Sequence, residues 1–162
     1  MRVLGIDPGT ATCGYGIVDE QGGRLRAVAH GSWSARRTRR LEERLGALFE
    51  ALGGLLEEHL PDAVALEESF VGADARTALS VGQARGAVLV ACARAGVACS
   101  EYAPARVKKA VCGFGAADKA QVQRMVMSIL ELQAPPANDH AADALAVAIC
   151  RALEPPLARM IA

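Results

Sequence analysis

Apolar residues recur along this chain in two rhythms, and the places where the rhythm changes mark its elements. Val3-Leu4-Gly5-Ile6 is a short apolar run closed by Asp7-Pro8-Gly9. It is too short for a helix and reads as a buried strand. Cys13 to Asp19 predicts a second strand, Gln21-Gly22-Gly23 a hairpin turn, and Arg24 to Trp33 a third strand, so the chain opens on an antiparallel meander. From Thr38 the period lengthens. Leu41, Leu45, Leu48, Phe49, Leu52, Leu55 and Leu56 recur at helical spacing with Arg and Glu between them, and Pro61 closes that helix. Ala63-Val64-Ala65-Leu66 is again short and apolar and ends in Glu67-Glu68. Because it follows a helix, it is expected to pair in parallel with the first strand through a right-handed crossover.

Ser69 to Asp74 predicts a loop. Arg76 to Ala95 predicts a long helix rich in Ala and Gly, in which Gly82 and Gly86 permit close approach of another element. Val97 to Tyr102 predicts a fifth strand, and Pro104 opens a short helix that Gly113-Phe114-Gly115 breaks. Asp118 and Gln121 resemble a capping box at the start of a helix through Leu130. After a linker at 134–137 the last helix begins near Asp139, with Ala142, Leu145, Ala146, Ile149 and Leu153 on one face. The order β-β-β-α-β-α-β followed by helices predicts an α/β protein: a five-stranded mixed sheet with helices on both faces. One domain over residues 1–162 is expected, the last ~8 residues being peripheral.

Composition narrows the class. No apolar run is long enough to span a membrane and no basic and apolar leader precedes the first strand, so a cytoplasmic protein is expected. Cys13, Cys92, Cys99, Cys112 and Cys150 form an odd set with no C-x-x-C pair. That excludes a zinc site or disulfide framework and fits buried thiols in a reducing compartment. Net charge is zero, so any nucleic-acid binding must come from where the charge sits. Arg36, Arg37, Arg39 and Arg40 fall within five positions, and Arg106, Lys108, Lys109 and Lys119 form a second group. Arginine clusters suit phosphate through the two parallel hydrogen bonds of the guanidinium fork. A solvated helix start would also account for the first.

The candidate chemistry lies in carboxylates. In mixed α/β sheets, sites form at the carboxyl ends of the parallel strands, where Asp7 and the Glu67-Glu68 pair fall. Adjacent strands lie about 4.8 Å apart, and the two glutamates point to opposite faces, so one of them can join Asp7. Carboxylates that close repel, which a divalent cation relieves; hard oxygen ligands select Mg²⁺ or Mn²⁺. Asp139 or His140 with Asp143 share a face of the last helix and supply further ligands. Singly these residues have ordinary explanations: Asp7 as a turn starter, Asp139 as a helix cap, His140 as a first-turn histidine. Together they come from three distant segments, and Asp143 sits among alanines and leucine.

Four motifs carry a resemblance: Leu4-Gly5-Ile6-Asp7-Pro8-Gly9, Ala65-Leu66-Glu67-Glu68-Ser69-Phe70, Gly82-Gln83-Ala84-Arg85-Gly86 and Ala141-Ala142-Asp143-Ala144-Leu145-Ala146. In that order, and with Val107-Lys108 and the stretch 115–123, the chain resembles the RuvC family of bacterial Holliday junction resolvases, in the RNase H-like superfamily. The first motif alone is also similar to the phosphate loop of actin-like ATPases, whose two duplicated domains 162 residues cannot hold.

The resemblance implies an RNase H-like fold and an endonuclease that resolves four-way junctions by paired nicks. It implies Asp7, Glu67 and Asp143 as catalytic metal ligands and selects Glu67 over Glu68. The family's fourth carboxylate falls where this chain has His140, which is taken as the fourth ligand or a general base, with Asp139 as the alternative. By the same resemblance, Lys119 is catalytic and, with Phe70, Arg76, Arg106 and Lys108, contacts DNA, Phe70 by stacking on bases. Also implied are two Mg²⁺ or Mn²⁺ ions per site, a homodimer with the 76–95 helix as candidate interface, and partnership with the RuvA and RuvB branch-migration complex.

Overall fold

A computed structural model of the chain describes residues 1–35, 40–68 and 75–155, with the side chain of Arg76 left aside. Its strands are β1 (Arg2–Asp7), β2 (Thr12–Gln21), β3 (Arg24–Ser34), β4 (Ala63–Glu67) and β5 (Cys99–Tyr102). Its helices are α1 (Leu41–His59), α2 (Ala75–Ala95), α3 (Pro104–Cys112), α4 (Lys119–Ile129) and α5 (Asp139–Ala152). The sheet runs β3-β2-β1-β4-β5. β1, β2 and β3 are the antiparallel meander the turns demand, whereas β4 joins β1, and β5 joins β4, in parallel.

The strand period sorts the sheet's side chains into two cores. Leu4, Ile6, Ile17, Val64 and Leu66 face α1 and α2, where they meet Leu48, Leu52 and Leu56 of α1 and Ala84, Val88, Ala91 and Cys92 of α2. Val3, Val18 and Ala65 face the other way, against α3, α4 and α5. α5 lies across the middle of that face, buried almost throughout from Ala141 to Ala152, which is why it is apolar all round rather than along one stripe. Leu153 departs from its expected place on the packed face. The helix ends at Ala152, and Leu153 is the cap residue, half exposed.

The close seat of α5 depends on glycines in the strands beneath it. A Cβ on Gly5 would stand 2.0 Å from the Ala144 carbonyl oxygen, one on Gly14 2.0 Å from that of His140, and one on Gly16 2.7 Å from Leu145. Any side chain at these positions would lift the helix off the sheet. At the opposite end of β1, Arg2 fixes the sheet's register by donating to Asp19 at 2.7 and 2.9 Å and to the His59 carbonyl oxygen at 2.9 Å. The expected strand at 97–102 begins two residues late: Gly96 turns with φ 68°, and Val97 donates to the Cys92 carbonyl oxygen before pairing starts at Cys99.

Candidate active site

The carboxyl ends of β1 and β4 carry the first two candidate residues. Their parallel register pairs Gly5 with Ala65 and Ile6 with Leu66, so Asp7 and Glu67 follow side by side. Val3 and Ala65 put that strand face against α5, and the period of two puts Asp7 and Glu67 on it as well. Glu68 turns the other way and is exposed; its backbone N–H donates to the Tyr102 carbonyl oxygen at 2.9 Å. Strand parity therefore puts Glu67, and not Glu68, on the face it shares with Asp7.

α5 brings the remaining groups. Its N-cap is Asn138, whose side chain accepts from the Ala141 N–H at 3.0 Å, so Asp139 is free of the capping role a helix start could have given it. His140 Nδ1 donates to Asp7 Oδ2 at 2.7 Å. Lys119, at the start of α4, lies between Asp139 and Asp143, 3.1 and 3.2 Å from one oxygen of each. Asp139 also accepts from Gln123 Nε2 at 2.9 Å and is the most exposed of the acidic groups at the site. Asn138 donates in turn to Ser32 Oγ at 2.7 Å, tying the start of α5 to β3. Asn138, Ser32 and Gln123 had not been singled out in the sequence. Of these Asn138 alone carries a local signal, an Asx residue just ahead of a helical period.

The electrostatics are those of crowded negative charge. Burial, then the neighbouring charges of Asp7 and Asp143, push the Glu67 carboxyl up to about 7, against the pull of Lys119 and Lys108. Burial also raises Asp7, with the His140 hydrogen bond opposing it. For Lys119 burial works to lower the ammonium's pKa, and the hydrogen bond to Asp139 with the nearby Asp143 charge more than offset it. Lys119 thus stays cationic. Cys13 lies close to this end of the sheet, but burial pushes its thiol up to about 12, which removes it as a nucleophile.

Among the described residues no three of these side chains stand tightly enough to enclose an ion; Lys119 brings a positive charge to Asp139 and Asp143, and His140 a hydrogen bond to Asp7. The donor set nevertheless suits a hard divalent cation. Three carboxylates meet beside one helix, and burial, with the neighbouring carboxylates adding to it, holds two of them above their ordinary range, a cost that a bound cation would relieve.

The other expected residues are less central. Lys108, on α3, is half-buried and within electrostatic reach of Glu67. Arg106, on the same helix, has its guanidinium 5.0 Å from the Tyr102 ring centroid and ion-paired with Glu154. Glu154 is buried and also accepts from Tyr102 and Arg151. Arg106 therefore closes a structural charge cluster beside α5. Phe70, Arg36, Arg37 and Arg39, and the peripheral residues after 155, lie outside the described residues, as does the side chain of Arg76.

Residues 3–151 match the family model of "Crossover junction endodeoxyribonuclease RuvC". The chain belongs to the RuvC family. It is 53% identical over 151 residues to the RuvC of Halorhodospira halophila, covering 93% of this chain and 89% of that one. The RuvC of Chloroflexus aggregans is 50% identical over 156 residues, 96% of this chain and 95% of the relative. Among solved structures, T. thermophilus RuvC in complex with Holliday junction substrate superposes with a TM-score of 0.91 at 39% identity, covering 99% of this chain and 96% of that one. With that likeness the fold is the RNase H-like one of RuvC. In this chain the mixed five-stranded sheet with helices on both faces brings Asp7, Glu67 and Asp143 to one place.

Proposed function

We propose that this protein is a structure-specific endonuclease that resolves four-way DNA junctions by paired, symmetric phosphodiester hydrolysis during recombination and repair. One observation carries the reading: Asp7, Glu67 and Asp143, from three distant segments, converge under α5 in a chain that matches the RuvC family nearly end to end. Asp7, Glu67 and Asp143 would hold the metal, Mg²⁺ or Mn²⁺ and two ions per site, with His140 completing the set or acting on a proton. When bound, the ions supply Lewis-acid activation of water and neutralise charge at the leaving 3′ oxygen. His140, fixed by its hydrogen bond to Asp7, presents its second ring nitrogen to whatever lies at the site and can take a proton from water. Lys119 offers its cation to a phosphate oxygen, and its two carboxylate partners keep it in place until DNA arrives. Lys108 extends the positive path along α3. The products are a 5′ phosphate and a 3′ hydroxyl, and no covalent intermediate is required.

Two strands must be cut, so we infer a homodimer joined through α2. The face of α2 turned to its own sheet is Ala84, Val88, Ala91 and Cys92. Among the described residues Gly82 and Gly86 have nothing within 4 Å of where a Cβ would stand, and Leu79, Leu89 and Val90 are exposed beside them. Small residues the sheet does not need, flanked by exposed apolar ones, fit a second helix. RuvA and RuvB are the partners expected to deliver the junction, and the cytoplasm is the expected compartment. No described helix is long and apolar enough to cross a membrane.

The test is a labelled synthetic four-way junction incubated with Mg²⁺, Mn²⁺ or chelator, beside Asp7→Asn. Paired symmetric nicks that need metal and vanish in the variant are the expected result. Tight junction binding without cutting under either metal would make this a junction-binding protein and refute the site.

A further inference from the structure

A cavity of about 390 Å³ opens beside the β1–β2 turn, between the end of β3 and the first half of α1, and no step proposed above uses it. α1 contributes Ala47, Leu48 and Ala51, and β3 contributes Trp33. Trp33 stacks on Tyr15 with ring centroids 4.7 Å apart, so the indole is held in place from behind. Arg44 also lines the cavity and puts a cationic side chain in its wall. An aromatic wall, an apolar surface and a guanidinium within one concave space are the chemistry of a nucleotide, with a π face for the base and a fork for the phosphate.

The position fits a nucleic-acid strand. Gly9 and Thr10, in the cavity wall, follow Asp7 in the chain, and Thr10 is pinned to Ser80 of α2 by a 2.5 Å hydroxyl contact. Ser32, another wall residue, holds Asn138, the cap of the helix that carries His140 and Asp143. The cavity and the carboxylates thus share one end of the sheet, the cavity on the α1 face and the carboxylates on the α5 face.

We propose that this cavity binds one unpaired nucleotide of a DNA strand that passes this end of the sheet, its base on Trp33 and its phosphate on Arg44. The proposal rests on the nuclease reading above and adds a subsite to it. A base must leave its stack to enter, and a junction offers unpaired bases at its centre more cheaply than a duplex does.

Trp33 is the single tryptophan of the chain, so its emission reports on the cavity. Asp7→Asn protein is titrated with a four-way junction and with a short labelled single strand. Trp33 emission and the anisotropy of the DNA label are read together. Emission is expected to be quenched in step with binding. Arg44→Met and Ala51→Leu, made in the same background, should lose the quench and bind the single strand on the order of tenfold more weakly, the size of one lost base stack. The two changes act on different walls, so a thermal melt that shows one misfolded leaves the other to decide. Unchanged emission at saturating junction, or full single-strand affinity in a folded Arg44→Met, overturns the subsite. Wild-type protein that cuts the junction while Trp33 stays silent sinks the subsite and leaves the nuclease reading standing. A junction neither bound nor cut sinks both.

Discussion

Glu67 shows how one residue's surroundings set its chemistry. The folded protein holds its proton up to about pH 7, where an ordinary glutamate lets go near 4.5. The folded state therefore binds the extra proton. The metal-free protein has this contribution in full below about pH 4.5 and loses it as pH rises through about 7. At roughly 1.4 kcal/mol per unit the loss is at most about 3.5 kcal/mol. In chelator, wild type should lose melting temperature relative to Glu67→Gln between pH 5 and 8; parallel curves would show that neither burial nor the charges of Asp7 and Asp143 raise Glu67. His140 and Asp139 separate at the same scale. His140 touches Asp7, whereas Asp139 is exposed and bonded to Lys119 and Gln123. His140→Ala should lower junction cleavage about a hundredfold, the scale of one lost acid–base group, and Asp139→Asn only a few-fold. Equal losses would restore Asp139 as a ligand.

At the scale of elements, the site depends on how closely α5 approaches the sheet. Gly14 is in contact with the backbone of His140, so Gly14→Ala must move either the helix or β2. Overpacking of this kind costs about 1–3 kcal/mol, and here it also shifts His140 relative to Asp7. We expect urea unfolding to report that loss and cleavage to fall further than the stability change explains. Asn138→Ala should cost about 1 kcal/mol by removing the cap and release the start of α5 from Ser32. A Gly14→Ala protein of unaltered stability and activity would mean that α5 is not held by this contact.

For the whole molecule, the exposed face of α2 decides whether two cuts can be paired. Leu79 and Val90 are 64% and 54% exposed, on either side of the open glycines. Leu79→Glu with Val90→Glu puts like charges where two α2 helices would meet. Sedimentation should find a monomer that still melts cooperatively, and junction cutting should yield single rather than paired nicks. A double variant that remains dimeric would place the interface elsewhere.

Much of this protein was legible in its sequence because local physics wrote it there. The period change after Trp33 separates meander from helix, Pro61 and Gly113 stop helices, and Asp7 and Glu67 end their strands because turns and loops begin there. Asp118 accepts from the Gln121 N–H as the capping pattern predicts. The motifs were enough to name the family. Tertiary structure alone decided the rest, because contacts between distant segments leave no local period. Strand parity against α5 selects Glu67's face, and Gly14 and Gly16 make room for a helix more than a hundred residues away. Arg106, basic in a basic stretch, is drawn to Glu154 because a buried carboxylate needs its charge matched. Sequence determined which groups could do the chemistry; packing of α5 on the sheet determined which of them meet.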